Sequence, residues 1–420
     1  MAKTRKTFIK SMLLLSFILV SCVDNSRMFS WTDYGDITPP WQDSELKAVT
    51  KETLMDLGTG WNLGNTLDAH NADSFSDEPQ NTETSWGQPE TTRSMIEGLA
   101  KSGIKTVRLP VSWTPHINAD YEINAEWMNR VKTIVDWCIE EKMYVILNIH
   151  HDNYINDNMV YAFQGFYPTE KGKAKSLAFV EKVWEQVADA FKDAKYDKVI
   201  FETLNEPRLR GHAHEWNAEM SCPECKEAVK VINELNQKAV TTIRSRGGVN
   251  TDRMIMVPAY VASPYAAWNG SFKFPDDPSG PGKLALSVHM YTPYNFTMNC
   301  GKDGYNTFSI QTRDELDWHF NMLKSNFIDK GYPVIIGEYG ATNKGNKEDR
   351  LIWFNYYLKE SASRGIISIL WDNGQERNNE NPAEAFGFFN RETCQWYDKD
   401  LRNVIIGAAA EGAKKHASSM

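Results

Sequence analysis

The 420-residue chain is 41% apolar and 12% aromatic, a composition that excludes disorder for most of its length. Its formal charge of −9 excludes a general electrostatic attraction to nucleic acid or anionic lipid. Length alone admits either one large core or several ordinary domains.

The first elements are processing signals. Lys3, Arg5, Lys6 and Lys10 stand without any acid before the apolar run SMLLLSFILV, which is too short for a comfortable membrane span, so residues 1–21 read as an export signal. Leu19-Val20-Ser21-Cys22 resembles the lipobox of bacterial lipoproteins, which implies cleavage before Cys22 and lipid attachment to it. Loss of 1–21 removes four bases and no acids, taking the formal charge to −13. The expectation is an exported lipoprotein of the cell envelope or surface, secreted if the lipobox is not used.

Residues 22–43 contain Pro39-Pro40 and no periodicity, so they read as a tether. No linker interrupts 44–408, expected to be one domain, and 409–420 read as a short charged tail. Eight apolar, β-branched runs recur in that domain: 60–65, 106–111, 144–150, 199–204, 254–259, 285–290, 333–338 and 366–371. Helical segments are expected between them, including 126–142, 174–192, 225–246, 311–329 and 349–359; Trp127, Val131, Ile134, Val135 and Cys138, for example, share one helical face. Alternating strand and helix predicts an α/β fold of the (β/α)8 barrel type. An open doubly wound sheet is the alternative, but GWNLGN lacks the dinucleotide fingerprint.

Polar residues gather at the ends of these runs. Arg108 lies in the second, His150 ends the third, Asn205 and Glu206 close the fourth, His289 and Tyr291 the sixth, Glu338 the seventh and Trp371 the eighth. In a barrel of this type the C-terminal ends of the strands carry the site. Glu206 and Glu338 can then face each other across the mouth. Such a pair, about 5 Å apart, performs glycoside hydrolysis with retention, whereas roughly 6.5–9.5 Å implies inversion. Arg108 and Tyr291 are expected to keep Glu338 ionised as nucleophile, while Glu206, as acid/base, needs a pKa nearer the working pH. Asn205 is a candidate for the sugar 2-hydroxyl, His150 and His289 for orienting hydroxyls or glutamates, and Trp371 for a ring beneath the reacting sugar.

Trp86, Trp113, Tyr154, Tyr161, Phe163, Phe166, Tyr167, Trp216 and Tyr294 all follow strands and are expected as apolar platforms of an open cleft, walled by inserts at 66–90, 151–171, 207–224 and 260–283. Besides Cys22 there are five cysteines, an odd number too thinly spread for a disulfide scaffold. Cys222 and Cys225 follow His212 and His214, which admits a zinc reading, although a local disulfide or two free thiols is favoured.

GWNLGNTLDA (60–69), VRLPVSW (107–113), LNIHHD (147–152), FETLNEPR (201–208), VHMYTPYNF (288–296), IIGEYGA (335–341) and LWDNG (370–374) together resemble glycoside hydrolase family 5, in its bacterial endo-β-1,4-glucanase subgroup. The resemblance implies Glu206 as acid/base and Glu338 as nucleophile, with Arg108, His150, Asn205, His289, Tyr291 and Trp371 around them. Asn65, His151 and Trp113 resemble subgroup positions that contact sugar. It implies no metal or organic cofactor and a β-1,4-linked plant polysaccharide as partner. From the charge and the lipobox, no nucleic acid and membrane contact only through the lipid are expected, and the chain is expected to be a monomer. Cellulose-like or mixed-linkage β-glucan is the expected substrate. Xyloglucan or xylan is the alternative, mannan a remoter one, and a lipid-anchored glycan-binding protein the rival from a different class.

Overall fold

A computed structural model describes residues 47–70, 82–153, 165–377 and 380–419. The expected signal, Cys22 and the tether lie outside these residues, as do Tyr154, Tyr161 and Phe163.

Eight parallel strands close on themselves: β1 (Gly60–Asn62), β2 (Thr106–Leu109), β3 (Tyr144–Asn148), β4 (Val199–Glu202), β5 (Ile255–Pro258), β6 (Leu284–His289), β7 (Val334–Tyr339) and β8 (Ile366–Leu370). Gly60 of β1 pairs with both Thr106 of β2 and Ile369 of β8, which completes the barrel expected from the alternation. Each strand lies at its expected place, and six of the eight are shorter than expected.

Period-two alternation sets the interior. Ile146, Ile200, Ala285 and Ile335 join Met256, Ile367 and Ile369 in an apolar plug inside the barrel. Two residues further along the same strands, Asn148, Glu202, Ser287 and Gly337 bring polar groups or open space to the next layer. The inside of the barrel therefore changes from apolar to polar towards the strands' C-terminal ends.

The outer helices are α1 (Arg93–Lys101), α2 (Ala125–Glu140), α3 (Lys173–Ala190), α4 (Pro223–Ser245), two short pieces α5 (Pro264–Trp268) and α6 (Tyr294–Thr297), then α7 (Ile310–Asn326), α8 (Lys347–Ser363) and α9 (Lys399–Ala417). Several begin as their sequence prescribes. Asn124 caps α2 by accepting from the Glu126 and Trp127 amides, and Asp398 caps α9 through those of Asp400 and Leu401. Helix α1 adds to the segments named from the sequence, and α9 crosses residue 408. That last helix runs unbroken past residue 408 and buries Ala410 and Gly412; a methyl on Gly412 would meet the Lys359 carbonyl oxygen at 2.5 Å, so the two helices touch there. Residues 409–417 thus belong to the fold.

Candidate active site

The site grows out of the polar layer. Arg108 is fully buried on β2, and its guanidinium is shared between two carboxylates: Nη2 donates to Glu202 at 2.7 Å and Nη1 to Glu338 at 2.8 Å. Asn62 and Asn205 accept from the same guanidinium at 2.9 and 2.7 Å. Burial works against the Arg108 charge, but the charges and hydrogen bonds of Glu202 and Glu338 outweigh it and raise its pKa further. Space for this cluster comes from a missing side chain. A Cβ on Gly337 would lie 3.2 Å from His289 Nε2, 3.3 Å from Glu202 Oε1 and 3.4 Å from Arg108 Nε.

Glu338 sits within β7 and also accepts from the Tyr291 hydroxyl at 3.0 Å. Glu206 stands just past β4, and its Oε1 shares a 2.8 Å hydrogen bond with His289 Nδ1. One carboxylate oxygen of Glu206, one of Glu338 and a ring nitrogen of His289 all lie within 4.8 Å of one another. That close approach fits the roughly 5 Å separation of a retaining pair better than the roughly 6.5–9.5 Å of an inverting one.

The electrostatics of this free site invert the order expected from the sequence. Burial acts to raise Glu206, but the His289 hydrogen bond and the charges of His289, Arg208 and His151 override it and hold Glu206 at about 2. Burial pushes Glu338 up despite the nearby charges of His289 and Arg108, and the Glu206 charge adds to that rise. Burial would lower His289, yet Glu338 and Glu206 together raise it. The three groups therefore titrate as a unit, with Glu206 and His289 joined by one hydrogen bond. Sequence shows neither the orientation of His289 nor the enclosure that creates this arrangement.

His150 follows β3. Its Nδ1 lies 3.0 Å from the Asn148 amide nitrogen, and its ring is parallel to Trp371 with centroids 6.0 Å apart. Trp371 follows β8 and is half-buried; a Cβ on Gly64 would meet its ring at 2.7 Å, so the GWNLGN turn needs glycine there. His151 lies 3.7 Å from Asp68 and 5.5 Å from the Trp86 ring, and burial above all holds its pKa down at about 3. Neutral imidazoles at His150 and His151 can donate and accept toward sugar hydroxyls. Asn65 turns the chain with φ of 56°, its amide bonded to Asp68 at 3.0 Å.

Two expected sugar contacts are corrected. Trp113 is 0% exposed, its indole donates to the Asn148 carbonyl at 2.9 Å, and its ring has no face free for a substrate. Phe166 is likewise buried. Trp216, by contrast, is 63% exposed, and the Arg208 guanidinium lies 4.2 Å from its ring centre. Arg208 also donates to the Glu206 carbonyl at 3.0 Å and to Glu215 at 3.0 Å, linking that ring to the acid/base candidate.

Glu202, Ser287, Asn148 and Arg208 are the partners that sequence reasoning overlooked. Their signal was present: a carboxylate, a hydroxyl and an amide at barrel-facing positions of otherwise apolar strands require buried partners. Among the described residues, Asp68 with His150 and His151, and His212 with Cys222 and Glu224, form further groups of potential metal ligands.

Comparison with known proteins agrees with this geometry. Residues 67–377 match the cellulase (glycosyl hydrolase family 5) profile. Endoglucanase A of Clostridium longisporum is 39% identical over 84% of this chain, which spans 65% of that protein's length. A glycoside hydrolase 5 lichenase mutant from Caldicellulosiruptor sp. F32, in complex with cellotetraose, superposes with a TM-score of 0.80 at 35% identity, over 90% of this chain and 98% of that one. A broad-specificity endoglucanase from Ruminococcus champanellensis with bound cellotriose gives 0.77 at 36% identity, over 86% and 100%.

Proposed function

The chain belongs to the cellulase family, glycosyl hydrolase family 5, and from that membership we propose that it is a retaining endo-β-1,4-glucanase with Glu338 as nucleophile and Glu206 as acid/base. The observation that carries the reading is the pair of carboxylates within 4.8 Å, held by different partners. Glu338 is aimed by Arg108 and Tyr291, whereas Glu206 shares a proton with His289.

The chemistry follows from those contacts. Glu338 attacks the anomeric carbon as the glycosidic C–O bond breaks, and the proton in the His289–Glu206 hydrogen bond passes through Glu206 to the departing oxygen. Glu206 then takes a proton from water, whose oxygen displaces Glu338 and regenerates the site. Asn205 supports the sugar from beside Arg108, its carbonyl oxygen occupied and its amide free to donate to the 2-hydroxyl.

Mixed-linkage and cellulose-like β-glucans are the proposed substrates, supported by the lichenase and endoglucanase relatives. Xyloglucan or xylan cleavage by the same pair is the second reading, supported by the broad specificity of one structural relative. A glycan-binding role alone leaves both glutamates and their separate partners without purpose. Attachment to the cell envelope through Cys22 completes the proposal, resting on the lipobox-like LVSC. Reducing-end release from carboxymethylcellulose, barley β-glucan, xyloglucan and xylan tests the activity. Release from the first two supports it, and a folded preparation inert on all four contradicts it.

A further inference from the structure

The turn that follows the acid/base strand carries a second cluster unused by the hydrolytic chemistry. Cys222 caps α4: its sulfur accepts from the Cys225 amide at 3.4 Å and lies 3.2 Å from Glu224 Oε2. His212, ten residues earlier on a separate turn, folds back so that a ring nitrogen, the Cys222 sulfur and a Glu224 oxygen all come within 4.8 Å of one another. Cys222 and Cys225 are both free thiols, so the sulfur is available.

We infer that His212, Cys222 and Glu224 form a site for a thiophilic divalent cation of the zinc type, with the fourth position open to water. One imidazole, one thiol and one carboxylate are the donor types zinc accepts in tetrahedral geometry, and a hard cation such as magnesium or calcium would not select the sulfur. Thiol–thiolate balance is simple: the metal forms a bond to sulfur, and the Cys222 proton, now directed at Glu224, leaves to solvent. Ligation also exchanges one neutral hydrogen bond, that from the His214 amide to His212 Nδ1 at 3.1 Å, for a metal–nitrogen bond. Cys225 is buried, and its sulfur lies outside the group formed by His212, Cys222 and Glu224.

The position gives the site a consequence. The turn between Glu206 and α4 carries Arg208, Glu215 and the exposed Trp216, and Gly211 and Glu215 are already tied by a 2.8 Å hydrogen bond. A cation joining His212 to the start of α4 would fix the far end of this turn to the barrel's outer layer. It would stabilise the folded state in proportion to its concentration, independent of catalysis.

Cobalt(II) titration of the reduced enzyme, with free thiols counted first, tests the inference. The expected result is a thiolate-to-cobalt charge-transfer band at one equivalent, displaced by zinc, absent in Cys222→Ser, at least about tenfold weaker in affinity in His212→Ala, and retained in Cys225→Ser. The Glu206–His289–Glu338 cluster contains no sulfur and cannot give this band. No band in the fully reduced wild type, or a band that survives Cys222→Ser, overturns the site.

Discussion

Glu202 holds Arg108 through a single carboxylate oxygen that accepts from Nε at 3.0 Å and Nη2 at 2.7 Å, with both side chains sealed from solvent. The same oxygen accepts from Asn148 at 2.8 Å, while Ser287 occupies the other. Glu202→Gln keeps the shape but removes the charge that balances the guanidinium. It is expected to destabilise the enzyme by about 3 kcal/mol and to lower kcat through a displaced Arg108. Urea unfolding and initial rates check this, and unchanged values in both would show that Glu202 positions nothing.

A bell-shaped pH dependence of kcat/KM is expected from the free site. Glu338 must be ionised, and because burial raises its pKa above 4.5, activity falls on acidification at a pH above that value. The proton shared by His289 and Glu206 must be present, and because His289 is raised above 6.5, activity is lost as pH rises beyond that value. His289→Asn leaves the proton to a carboxyl alone and should move the alkaline limb down by about one unit or more. A stationary limb would separate His289 from the proton inventory.

Trp216 and its stacked Arg208 are expected to serve long chains more than the reaction centre. Trp216→Ala should raise KM for β-glucan by roughly three- to tenfold, the worth of one aromatic platform, with kcat on a short aryl cellobioside nearly unchanged. Equal loss on both substrates would place Trp216 in folding or catalysis instead.

These residues also show what the sequence made legible. The positions of Arg108, Asn205, Glu206, His289, Tyr291 and Glu338 follow from one rule, that polar residues ending apolar parallel strands meet at a barrel's mouth. Trp113 escaped the same reasoning because a tryptophan after a strand reads alike whether its face is free or, as here, packed with its indole tied to the Asn148 carbonyl. The charge order of Glu206 and Glu338 escaped it because His289 reaches across from another strand by a side-chain orientation that no linear pattern encodes. At the C-terminus, residues 409–420 read as a short charged tail, while the small residues among them let α9 pack closely on α8.

Removal of each glutamate should separate their roles. Glu206→Ala is expected to lose about 10²–10⁴-fold on polysaccharide while retaining the first step on activated aryl glycosides. Azide should then yield a β-glycosyl azide from Glu206→Ala and an α-glycosyl azide from Glu338→Ala. An α product from Glu206→Ala would reverse the assignment.

The most direct test of the paired carboxylates is the anomeric configuration of the reducing end first released from a β-glucan by the wild-type enzyme, followed by proton NMR before mutarotation. Two carboxylates within 4.8 Å predict the β-anomer first. Initial appearance of the α-anomer would show an inverting displacement by water and contradict the account.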